Sequence, residues 1–273
     1  MTDRRPIVQV RKLADADVFR AHLDAAGLDL CFDAELVNGP DAPLARPFDV
    51  GLADGMTRTV GNRFAVLPME GWDATSDGRP TDLVRRRWER FGTSGAKLVW
   101  GGEAVAVRAD GRANPNQLCM GADAVDDLSG LRSRLVAAHA ERFGRTDDLL
   151  VGLQLTHSGR WSRPTGSPVP RVGYRHPLLD HRVPITDASV FSDDELDELS
   201  DRFVEASVMA ADAGFDFVDL KACHGYLLHE MLSGVDRPGP YGGDLDGRSR
   251  FQRRTLEAIR SRVPTLGLGV RLS

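Results

Sequence analysis

Apolar positions along the chain fall into two alternating rhythms. Short continuous runs occupy 63–68, 96–100, 149–155, 215–221 and 266–272, the length and composition of buried strands bounded by turn residues. Between them lie stretches with helical spacing. One covers 14–26 and is closed by Gly27, a second covers 83–91, and a third covers 123–143, with Leu128, Leu131, Leu135 and Ala138 on one face and Gly144 as its stop. A fourth has the fullest set of boundary signals. Ser192 and Glu195 form a capping box, Phe191 and Leu196 a hydrophobic staple, and Gly214 ends a face of Leu196, Leu199, Phe203, Ala206 and Ala210. Leu227, Leu228, Met231 and Leu232 open a further helical stretch, and 248–262 is the last.

Five strand–helix alternations predict βα units around a parallel sheet. No G-x-G-x-x-G opens the first helix, so a dinucleotide-binding Rossmann domain is disfavoured. The expected architecture is α/β, a (β/α)8 TIM barrel of which about five of the eight βα units are present. Residues 1–58 are expected to be an N-terminal extension and 59–273 the barrel, with its C-terminal units missing. From residue 59 there are about 215 residues, against roughly 250 for the complete fold. A long segment, 158–190, is rich in Pro, Gly and Arg and has no periodicity; such loops in compact domains are usually functional or disordered.

Composition narrows the classes. The chain has 273 residues, 41% hydrophobic and 27% charged, with a net charge of −5. That balance fits a globular protein and gives no basic surface for nucleic acid or an anionic membrane. No run of about 18 apolar residues is present to span a bilayer, and the first residues lack a signal-peptide core. Cys31, Cys119 and Cys223 are too few and too scattered for a disulfide framework or a zinc site. The expectation is a cytoplasmic protein acting on a small-molecule substrate, with no metal; a homo-oligomer is left open.

Candidate chemistry collects at strand ends. The stretch Asp219-Leu-Lys-Ala-Cys-His-Gly-Tyr226 places Lys221, Cys223, His224 and Tyr226 where a buried strand stops, and only three of the 35 basic residues of the chain are lysines. Pro68-Met69-Glu70 ends the first strand, Gly101-Gly102 the second, Gln154-Leu-Thr-His157-Ser-Gly-Arg160 the third and Arg271 the fifth. Each has an ordinary reading as well. Pro68 and Met69 suit a strand end, Gln154 a satisfied buried amide, His157 a structural hydrogen bond, and His176, His181, His229 and Cys223 plain packing.

Taken together these motifs resemble the Old Yellow Enzyme family of FMN-dependent oxidoreductases. The resemblance rests on Asn62-Arg63 with Pro68-Met69, on Gln154–Arg160, on His224-Gly-Tyr-Leu227, and on Arg237-Pro-Gly-Pro-Tyr-Gly-Gly243 followed by Arg248–Phe251. It implies FMN at the mouth of the barrel, NAD(P)H as reductant, and reduction of an activated C=C bond. Pro68, Met69, Glu70, Gly102, Gln154 and Arg271 would contact the cofactor. Lys221 and His224 would hold the substrate's carbonyl oxygen, and Tyr226 would donate a proton. Two residues depart from the family pattern. Lys221 stands where a histidine is usual, and Glu70 where a small polar residue is usual. Glu70 is expected to pair with a nearby cation, Lys221 across the mouth. The family's phosphate-binding loops lie in its last βα units, so the sequence is expected to be the front part of a larger enzyme. Two rivals remain open: a Schiff-base aldolase or decarboxylase using Lys221, and a non-catalytic fragment.

Overall fold

The computed structural model describes residues 7–52, 55 and 57–273, which divide into two compact units, Met1–Arg46 and Pro47–Ser273. In the first, α1 (Ala16–Ala26) starts where the Asp15 carboxylate accepts the Val18 N–H at 2.9 Å and ends at Gly27, whose φ of 66° only glycine adopts without strain. Phe19 meets Phe32 edge to face there, 4.9 Å between ring centres.

The second unit begins earlier than the expected boundary at residue 58. An antiparallel hairpin of β1 (Phe48–Gly51) and β2 (Thr57–Val60) belongs to it. The sequence hides this hairpin because its strands are short and mostly polar on one face. Its apolar residues Phe48, Val50 and Val60 cluster with Leu150 and Phe217 of the main sheet. In that sheet β3 (Ala65–Val66), β4 (Leu98–Val99), β6 (Leu150–Thr156), β7 (Phe217–Ala222) and β8 (Gly267–Leu272) lie side by side in that order, every pairing parallel. The short β5 (Ala104–Ala106) pairs with β6 beyond β4, so the second strand of the sequence reading is a broken one, interrupted at Gly101-Gly102.

Helices α2 (Asp82–Thr93), α3 (Ala124–Phe143), α4 (Asp193–Asp212), α5 (Leu227–Met231) and α6 (Leu245–Arg262) follow the strands. The capping box of Ser192 and Glu195 at the start of α4 is present in both directions, 3.1 and 2.9 Å. Alternation along the strands then sorts the two faces of the sheet. Leu153, Leu155, Val218, Leu220 and Ala222 point to the helices and join Leu196, Leu199, Phe203 and Ile259 in the main core. Gly152, Gln154, Phe217, Asp219, Lys221 and Arg271 share the opposite face, which in a barrel is the inside. An all-parallel arc of βα units with an apolar outer and a mixed inner face is the expected part-barrel.

Segment 158–190 is not a bare loop. Arg160, fully buried, donates from Nε to Glu230 at 2.7 Å, from Nη1 to Asp180 at 2.6 Å and from Nη2 to the Tyr174 carbonyl at 3.2 Å. Glu230 also accepts the Gly173 N–H at 3.0 Å. Lack of periodicity concealed a segment held largely by buried guanidinium groups, Arg160 and also Arg237, which donates to the Gly173 carbonyl. Removing one partner of a buried ion pair costs about 3–5 kcal/mol because the other charge is left uncompensated. Glu230→Leu is therefore expected to lower urea-unfolding stability by about that amount; a loss below about 1 kcal/mol contradicts this role for Arg160 and Glu230.

Candidate active site

The C-terminal ends of β3, β6, β7 and β8 converge on the inner face. Lys221 is the last inward residue of β7 and is paired in register with Arg271 on β8. Its side chain is almost completely buried. Two contacts make that tolerable: Nζ forms a hydrogen-bonded ion pair with Glu70 Oε1, and it lies 4.0 Å from the centre of the Tyr226 ring. The pairing expected from the sequence is thus present, and it joins the loop after β3 to the end of β7.

Tyr226 is held by backbone contacts between the loops after β6 and β7. The Leu227 N–H donates to the His157 carbonyl at 3.2 Å. Gly159 has φ 60°, and a Cβ there would lie 2.9 Å from the Leu227 nitrogen, so only glycine permits this approach. Burial, then the Glu70 carboxylate, holds the phenol's pKa above the ordinary tyrosine value, with Ser158 opposing. The hydroxyl therefore stays protonated through neutral pH. His224 is exposed and sits at φ 61°, an unusual left-handed conformation for a residue with a side chain. Partial desolvation, then Lys221 and Arg271, lower its pKa, which favours the neutral imidazole. Arg271 is partly exposed and makes no ion pair among the described residues.

Gln154 is fully buried on β6, with its Nε2 donating to Asp219 Oδ2 at 2.6 Å. Its Oε1 has no hydrogen-bond partner among the described residues. Buried polar atoms without partners are rare, and this one lies on the same face as Lys221 and Arg271. Pro68 is buried and Met69 is 55% exposed. Gly101 lies between Pro68 and Gln154, where a Cβ would come within 2.8 Å of the Gln154 side chain. Gly102 is different: a Cβ there would meet the Trp88 ring at 2.9 Å, so its glycine is accounted for by helix packing. His157 matches its structural reading, buried, accepting the Gly159 N–H at Nδ1 over 3.1 Å. Cys223 is buried, and burial pushes its thiol pKa up. A cavity of about 720 Å³ lies away from this mouth, between Tyr174, Phe191 and Arg237.

Two carboxyls near the site escaped the sequence reading. Asp219 is pushed up to about 6 by burial, against Gln154 and Trp100. Glu103 is 1% exposed, 3.4 Å from Arg87, and raised to about 7, chiefly by burial. The available signal was a single acid inside an apolar run, Gly101–Val107 for one and 217–222 for the other.

Residues 43–273 match the NADH:flavin oxidoreductase / NADH oxidase family. The chain is 28% identical over 207 residues to the NADPH dehydrogenase of Bacillus velezensis, covering 74% of this chain and 56% of that one. It is 33% identical over 131 residues to 12-oxophytodienoate reductase 1 of Oryza sativa subsp. japonica, covering 45% and 34%. In fold it resembles the old yellow enzyme homologue from Zymomonas mobilis, with a TM-score of 0.66 at 24% identity over 84% of this chain and 62% of that one. The chain spans about half the length of the curated relatives it matches.

Glu103 gives a pH test with a definite sign. A carboxyl whose folded pKa is about 7 instead of 4.5 keeps its proton in the folded state where the unfolded chain has released it. Stability therefore falls as pH rises between those values, by at most about 3 kcal/mol. Asp219 acts in the same direction but is spent by about pH 6. Glu103→Gln should flatten the pH 6 to 7 part of the curve in urea unfolding; parallel curves for the two proteins contradict the assignment.

Proposed function

Because the chain belongs to the NADH:flavin oxidoreductase / NADH oxidase family, we propose that it forms the substrate-facing part of an FMN-dependent ene-reductase driven by NAD(P)H. The observation that carries this reading is the mouth itself: a buried ammonium and an unsatisfied buried amide carbonyl on one sheet face, with a protonated phenol against the ammonium from the loop above. The residues fit a flavin. Gln154 offers an unpartnered acceptor to the pyrimidine edge, and Arg271, free of any ion pair among the described residues, offers positive charge beside it. Pro68 and the exposed Met69 would supply apolar contact to the ring, and Glu70 would act through its pairing with Lys221. When bound, FMN would take a hydride from NAD(P)H and deliver it to the β-carbon of the substrate's C=C bond.

The protein's own groups do the rest. Lys221 has N–H donors beyond the one given to Glu70, and it would hold the substrate's carbonyl oxygen together with the neutral imidazole of His224. Negative charge gathers on that oxygen as the β-carbon accepts hydride, and a fixed ammonium stabilises it more than the ground-state carbonyl. Tyr226 supplies the proton to the α-carbon, so the C=C bond gains one hydride and one proton in balance. Its raised pKa keeps the proton in place until that step. The Schiff-base alternative is weakened by the same pair. A nucleophilic lysine needs its amine free to attack a carbonyl, and the Lys221 Nζ is committed to an ion pair with Glu70 and packs against the Tyr226 ring.

The test is reconstitution with FMN followed by separate half-reactions. Bound flavin should shift the visible flavin band, and Tyr226→Phe should leave reduction by NAD(P)H unchanged while slowing reoxidation by an enone about 10²–10⁴-fold. Equal loss in both half-reactions, or none in either, contradicts the role given to Tyr226.

A further inference from the structure

The pairing of Gln154 with Asp219 contains more than a buried hydrogen bond. The two residues are in register on adjacent strands, both fully buried, and separated by 2.6 Å between Nε2 and Oδ2. A carboxylate only accepts hydrogen bonds, so the amide must turn its NH2 toward Asp219. The amide's other atom is then fixed as well. Gln154 Oε1 is left as a bare acceptor, without a partner among the described residues. A free glutamine could present either its oxygen or its nitrogen to a ligand; this one can present only oxygen.

We propose that Asp219 is a positioning residue that locks Gln154 as an acceptor, so that the site selects a ring with an imide N–H flanked by carbonyls. The acceptor is supplied by Gln154. The complementary donors for an adjacent carbonyl come from Arg271, on the strand beyond β7 and on the same face. Glycine at 269, opposite Asp219 on β8, adds no side chain to that face. An acceptor beside a cation is the complement of an N–H beside a carbonyl. This rests on the FMN reading, and it assigns to Asp219 a part in cofactor recognition without contact to the cofactor.

The experiment compares binding of FMN and of N3-methyl-FMN, which lacks the imide N–H, by quenching of flavin fluorescence. The purified chain is expected to bind the methylated flavin at least about tenfold more weakly, a loss of one hydrogen bond at a buried acceptor. In Asp219→Asn the side-chain amide can donate to Gln154 Oε1, the lock is released, and the ratio should fall below about threefold. Asp219→Ser, smaller and without charge, should lose the ratio as well and serves if the asparagine variant does not fold. The ratio of the two flavins is insensitive to a general loss of stability, which would weaken both. If the unaltered chain binds neither flavin, the FMN reading falls and this inference with it. If it binds FMN but does not discriminate, or if both variants keep the tenfold preference, the inference alone is overturned.

Discussion

An ammonium buried at the end of a strand needs a counter-charge, and in this chain Glu70 supplies it. The two residues belong to β7 and to the loop after β3, with β4 and β6 between them in the sheet. Three strand spacings in a flat sheet amount to about 14 Å, more than two side chains bridge comfortably when they stand perpendicular to it. The pair forms because the sheet curls, bringing inward-facing strand ends toward one another. The same curl turns Phe217 and Leu150 toward the β1–β2 hairpin at the other end of the strands. One charge pair at the mouth and one apolar cluster at the base thus mark the two ends of a single concave face.

The two faces of the sheet divide the work. Toward the helices every β7 side chain is apolar, and stability there comes from burial. Toward the inside, β7 presents Phe217, Asp219 and Lys221 in succession, an apolar base rising into charge. Each inward charge has its own means of being tolerated. Lys221 has Glu70 and the Tyr226 ring, while Asp219 has the Gln154 amide and a raised pKa. The loops above are fastened in the same manner, by Arg160 between Glu230 and Asp180. Buried charges that are each paired specify geometry more than they stabilise it.

The fold was legible where burial enforces a period. The helices at 124–143 and 193–212 and the strands β6, β7 and β8 are long, continuous and bounded by caps or glycines, and they lie within a few residues of the expected positions. Short elements were not legible. The hairpin β1–β2 has too few residues to show alternation, and β5 lies past a glycine pair that reads as an ending. The site was legible as a set of strand-end motifs, including the partner of Lys221, since a carboxylate and a cation at the same mouth should meet. Asp219 and Glu103 were missed because a strand's period says which face an acid occupies but not what it touches.

The pair of Lys221 and Glu70 is the interaction on which this account stands, and a double-mutant cycle measures it directly. Lys221→Met, Glu70→Leu and the double variant would be compared by urea unfolding. Each single change leaves one charge without its partner, whereas the double change removes both charges, so the double loss should be smaller than the sum of the single losses by at least about 2 kcal/mol. Losses that add within about 0.5 kcal/mol would mean that the two residues do not act as a pair, and the mouth would need another organising contact.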